Sequence, residues 1–156
     1  MTSFKDIEIN DLPAVKQFFE AKGVRVEGTF TAVIKEPAKT FEAGFIDVVV
    51  GEKSTLVFAM ENEGDLQDPI NYLLLQVPVV PEADPQARDF EIKPQDQGGA
   101  WAYLGFETRF GYARQGKIES ACVGPTHFTA RHFQFAGEGD AGHFDVERGA
   151  FDVHVI

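Results

Sequence analysis

The chain has 156 residues, 44% of them hydrophobic, enough to bury a sizeable core in one domain. A formal net charge of −11 sets it against duplex nucleic acid and suits a basic protein partner or a cation. One cysteine, Cys122, excludes an intramolecular disulfide.

The N-terminal stretch lacks the basic start and apolar run of a signal peptide, and no stretch is long and apolar enough to span a membrane. The expected home is therefore a reducing cytoplasm, without membrane association. Cys122 beside Val123 reads as a small packed residue rather than a nucleophile.

Lys5 to Ile9 reads as a short strand. A helix follows over Asp11 to Lys22. Asn10 or Asp11 can cap it, Pro13 is tolerated in its first turn, and Gly23 stops it. Leu12, Val15, Phe18 and Phe19 form its apolar stripe, which should close one face or end of a sheet.

Val24 to Lys35 alternates as a strand, with Gly28 as a bulge and Pro37 as its end. Phe41 to Val50 and Ser54 to Glu61 flank Gly51-Glu52-Lys53 as a hairpin. Asn62 to Ile70 is an acidic loop. Tyr72 to Val80 is short, apolar and β-prone, though Leu73-Leu74-Leu75 also suits a helical turn. Pro81 to Gly99 is a long unpatterned loop, interrupted by a short strand around Phe90 and Ile92.

Ala100 to Arg114, Lys117 to Val123 and Thr126 to Ala136 are strands, and Gly137 to Gly142 is a flexible link. The last stretch reads as a hairpin. Phe144 and Val146 alternate with His143 and Asp145, then Phe151 and Val153 alternate with Asp152 and His154. Arg148-Gly149 is the two-residue turn between them.

The fifteen Phe residues mostly alternate with polar neighbours, as in a sheet core rather than an aromatic ligand box. The expected fold is all-β: a single antiparallel β-sandwich or β-barrel with one N-terminal α-helix.

In the predicted hairpin His143 faces His154 and Asp145 faces Asp152. Two imidazoles and two carboxylates are a ligand set for zinc or a related divalent metal. The plainer reading is four solvated outer-face residues, with no cofactor. On their own strand His127 and His132 have opposite parity and should not share a face. The acidic glycine-bearing loops Glu61 to Asp68 and Glu138 to Asp140 offer oxygen ligands for calcium, but neither follows the EF-hand pattern. No phosphate loop, dinucleotide fingerprint or nucleophile elbow is present.

Tyr72-Leu73-Leu74-Leu75-Gln76 is followed by Phe90-Glu91, by Gln95-Asp96-Gln97 and by Gly99-Ala100-Trp101-Ala102-Tyr103. This resembles a family of small immunity proteins of bacterial polymorphic-toxin systems, the tenth of its series, over about residues 66 to 120. The His-rich end of the chain has no place in that pattern. The resemblance implies a non-catalytic protein that binds and neutralises a toxin domain.

The functional expectation is thus a binding protein with an acidic surface for a basic partner. Its contacts are expected at Asp65, Asp68, Asp89, Glu91, Asp96 and Trp101. The alternatives are a barrel holding a small apolar ligand, as an isomerase or cyclase would, and a metal-binding β-domain.

Overall fold

A computed structural model describes residues 11–35, 39–51, 54–61, 71–78, 88–94, 99–106, 109–123, 126–139 and 142–156. The predicted strand at Lys5–Ile9, the loop Asn62–Ile70 and most of the loop Pro81–Gly99 lie outside these residues. Helix α1 (Leu12–Lys22) is followed by strands β1 (Val24–Lys35), β2 (Lys39–Glu42), β3 (Phe45–Val50), β4 (Ser54–Met60) and β5 (Tyr72–Pro78). Then come β6 (Arg88–Ile92), β7 (Trp101–Phe106), β8 (Arg109–Val123), β9 (His127–Gly139) and β10 (Gly142–Val155).

Eight strands close into an antiparallel barrel in the order β10-β9-β8-β7-β5-β4-β3-β1, with β1 pairing back to β10. The two remaining strands extend its long members. β2 continues the line of β3 along the edge of β1, and β6 precedes β7 along the edge of β8. Closure gives each of the eight ring strands a neighbour on both sides.

The helix forms as its sequence predicts. Ala14 N–H donates to the Asp11 carboxylate at 3.3 Å, Pro13 occupies the first turn, and Gly23 N–H donates to Phe19 O at 2.7 Å. Leu12, Val15 and Phe19 are buried, and Phe19 stacks on Phe58 with ring centroids 5.0 Å apart. Phe18 is half-buried, so the expected stripe is narrower by one residue.

Helix α1 packs on the outer face formed by Phe45, Leu56, Phe58, Met60, Tyr72, Leu74, Trp101 and Tyr103. The other face of these strands, including Val48, Val57, Leu73, Leu75 and Leu104, lines the barrel interior. Strands β4 and β5 are therefore apolar on both sides, which is why Leu73-Leu74-Leu75 carries no strand period.

Aromatic rings occupy the interior. Phe30 contacts Phe41, Phe133 and Phe151, and Phe135 contacts Phe133 and Phe144. Each fully buried Phe is worth about 1.5–3 kcal/mol relative to exposure.

The predicted C-terminal hairpin does not form. Gly142–Val155 is one strand, paired with β9 on one side and β1 on the other. The hairpin is instead β9 with β10, and the predicted link Gly137–Gly142 lies largely inside these two strands. Phe144, Val146, Phe151 and Val153 are all buried, as the alternation requires.

A bulge explains the parity change. The register shifts between Val146 and Gly149, and Arg148 takes φ 52°. A two-residue turn and a one-residue bulge move the apolar row by the same single step. Gly149 is glycine because an added Cβ would lie 2.3 Å from the Phe133 ring.

The irregularity crosses the sheet. On β9 it falls between Ala130 and Phe133, and on β8 Ser120 has φ 53°. Gly28 is not the bulge in β1, since its register runs unbroken and the shift comes between Thr31 and Val33. Strand β8 likewise runs without a break through Gly116.

Candidate interaction surface

All four histidines lie on the outer face of β9 and β10. Because of the β9 irregularity, His127 and His132 share that face despite their opposite parity in sequence. Each imidazole meets a carboxylate: His127 Nε2 is 2.6 Å from Asp152 Oδ1, and His154 Nε2 is 3.0 Å from Glu27 Oε1. His143 Nε2 is 3.1 Å from Asp145 Oδ2, and His132 Nδ1 is 3.6 Å from Glu119 Oε2.

The predicted metal constellation is split by the straight course of β10. His143 pairs with Glu138 at one end of the strand, and His154 pairs with His127 at the other. The extended chain between them spans roughly 35 Å. Asp145 stays with His143, and Asp152 with His127. Among the described residues no group of three or more His, Cys, Asp or Glu is placed to hold a metal ion.

The expected contact residues also separate. Asp65, Asp68 and Asp96 lie outside the described residues. Asp89 and Glu91 are exposed on β6, but Asp89 serves the fold as well. Its Oδ1 accepts the Ser120 N–H at 2.9 Å, holding the positive-φ residue of β8. Trp101 is buried at 4% exposure, edge-on to Tyr112 at 5.7 Å, so its indole belongs to the layer under α1 and not to a contact surface.

The residues of the Tyr72-to-Gln76 pattern likewise belong to the fold. Tyr72 to Leu75 are buried in β5, and Gln76 Nε2 donates to Gly99 O at 2.7 Å, tying β5 to the start of β7.

Strand direction sorts the connections into two sets that differ in sequence charge. Lys35 opposite Asp145, Met60 opposite Tyr72, Phe106 opposite Arg109 and Gly139 opposite Gly142 mark strand ends that point the same way. The connections leaving them, 36–38, 62–70, 107–108 and 140–141, carry Glu36, Glu63, Asp65, Asp68, Glu107 and Asp140, with neither Lys nor Arg. The opposite connections, 52–53, 79–87 and 124–125, carry Glu52, Lys53, Glu82 and Asp84.

Three bases beside the acidic end are engaged. Lys35 Nζ is 3.3 Å from Glu147, Lys39 Nζ is 3.7 Å from Glu61, and an Arg114 guanidinium nitrogen is 3.2 Å from Glu138. Such exposed pairs contribute little stability, about 0–1 kcal/mol each, but they offset the local positive charge.

Just below this end, the outer face of β1, β6, β8, β9 and β10 holds a groove of about 590 Å³. Its rim carries Glu91, Asp145 and Glu147 with Lys35 and Lys117, and Gln115 and Gln134 add amides. Apart from Glu91 and Asp145, these residues carry no signal in the sequence. Their convergence depends on strand register, which no local pattern displays.

Asp47 escapes the sequence reading too, although a lone acid in Phe45-Ile46-Asp47-Val48-Val49-Val50 is a visible signal. It is buried, its Oδ1 has no hydrogen-bond partner, and burial raises its carboxyl to about pKa 6.

The architecture defines a closed eight-stranded antiparallel barrel with a helix packed on one side. No protein-family model, curated protein or solved structure matches the chain. No helix among the described residues is long and apolar enough to cross a membrane.

Proposed function

We propose that the protein is a non-catalytic binding protein for a basic protein partner, inhibitor-like in the manner of an immunity protein. It meets that partner with the acidic end of the barrel. The observation that carries this reading is in the sequence of four connections that leave strand ends of one direction: 36–38, 62–70, 107–108 and 140–141 carry Glu36, Glu63, Asp65, Asp68, Glu107 and Asp140 and no Lys or Arg. The groove bearing Glu91, Asp145 and Glu147 adjoins that end and continues the polar surface.

A one-signed surface of this kind steers a partner of opposite sign and raises the rate of encounter. The packed Phe interior supports protein binding over the alternative of a small apolar ligand held in a hollow barrel.

The test is affinity recovery of a basic protein from the source cells, followed by association kinetics with purified components. Association should slow as salt rises, because screening shortens the Debye length to about 8 Å at physiological ionic strength. A partner whose association is indifferent to salt would remove the electrostatic basis of the reading.

A further inference from the structure

Val24 with Val48 and Arg25 with Asp47 are the residue pairs that join β1 to β3 and complete the ring. Beyond them β1 leaves β3. At Gly28, φ 141°, an added Cβ would meet Asp152 O at 2.0 Å, so β1 lies tightly against β10 there. From Thr31 onward the edge of β1 is taken by β2.

Asp47 occupies this short seam at 3% exposure, with Oδ1 unpartnered. The end of α1 presses on it. A Cβ at Gly23 would lie 2.5 Å from Phe19 O, 3.1 Å from Val48 O and 3.4 Å from Asp47 Cγ. The charged groups facing Asp47 are Arg25 on β1 and Glu20 on α1, the latter paired with Lys16 at 3.4 Å. Opposite on β4 stands Phe58, which is not titratable.

We propose that the β1–β3 seam is a proton-operated latch. With Asp47 neutral, β1, β3 and the end of α1 close as one packed unit. With Asp47 ionised, a carboxylate whose Oδ1 lacks a hydrogen bond is held out of water, and the seam yields by local opening. Such an opening needs few pairs to break, whereas β9 and β10 are paired almost end to end.

Burial raises the Asp47 carboxyl from the ordinary 3.8 to about 6; Arg25 opposes the rise, Glu20 adds to it, and a hydrogen bond from the Val48 backbone opposes it further. The folded value lies above the ordinary one. The stability of the closed seam is therefore fully present below 3.8 and is lost as pH rises through about 6.

The experiment is amide hydrogen exchange of the full chain between about pH 4 and pH 7, corrected for intrinsic exchange chemistry. Seam opening at Val24, Arg25 and Val48 should rise about fiftyfold over that range, while β9 amides stay protected. In Asp47→Asn the rise should vanish. The proposal is overturned if wild type and variant respond alike, or if the seam opens only together with β9. Should the variant fail to fold, the Asp47 carboxyl-carbon resonance is titrated in wild type. Its midpoint must coincide with the upper midpoint of seam exchange, and a separate midpoint overturns the latch.

Discussion

Phe30 on β1 and Phe151 on β10 face each other in register, their ring centroids 5.6 Å apart and their planes 7° from parallel. The pair sits where the last strand closes the barrel against the first. Both rings also contact Phe133 on β9, so three strands meet through them. We expect Phe151→Ala to cost about 3–5 kcal/mol in urea unfolding, the range for deleting a buried ring. A loss below about 1 kcal/mol would mean that the β1–β10 joint is peripheral.

The helix offers a sharper contrast. Phe19 is fully buried and stacked on Phe58, whereas its neighbour Phe18 is half-buried and edge-on to Phe19. Phe19→Ala should cost about 3–5 kcal/mol and Phe18→Ala clearly less. Equal losses in denaturant melts would contradict the way α1 is seated.

Asp89 carries the irregularity in β8. Its carboxylate takes the Ser120 N–H, and removing it leaves a positive-φ residue without its anchor. Asp89→Ala should destabilise by about 1 kcal/mol, while Asp89→Asn, which keeps an acceptor, should lose less. Equal effects of the two, read from chemical denaturation, would show that the charge rather than the hydrogen bond matters.

The histidines make a metal test specific. His143 and Asp145 lie at one end of β10, and His154 with Glu27 at the other. We expect stoichiometric zinc to leave the melting temperature unchanged in calorimetry. A rise abolished by His143→Ala and also by His154→Ala would contradict their separation.

Much of the fold is legible in the chain. Asp11, Pro13 and Gly23 bracket the helix at its observed bounds, and alternation marks the buried side of β1, β9 and β10. What alternation cannot say is how a parity change arises. Val146 and Phe151 face the same side whether Arg148-Gly149 turns the chain or merely bulges it. The choice is made by pairing with β1 and β9 along the whole strand, which is long-range information. The same ambiguity puts His127 and His132 on different faces when only their spacing is considered.

Trp101 is misplaced from sequence for a related reason. It lies under α1, and that layer exists only once β7 is placed beside β5. The groove at Glu91, Asp145 and Glu147 likewise depends on the register of five strands. Asp47, by contrast, is readable as an acid in an apolar strand.

The proposed role places the acidic connections against a basic partner. The most direct test compares charge reversals at the two ends in association kinetics with that partner. Asp65→Lys with Asp68→Lys alters the acidic connection 62–70, and Glu82→Lys with Asp84→Lys alters the connection 79–87, which leaves a strand end of the opposite direction, by the same charge. Unfolding curves of both variants serve as the control that each retains the fold. Association should slow several-fold in the first variant, with little change in dissociation, and stay near wild type in the second. Equal slowing in both, or slowing confined to the second, would contradict it.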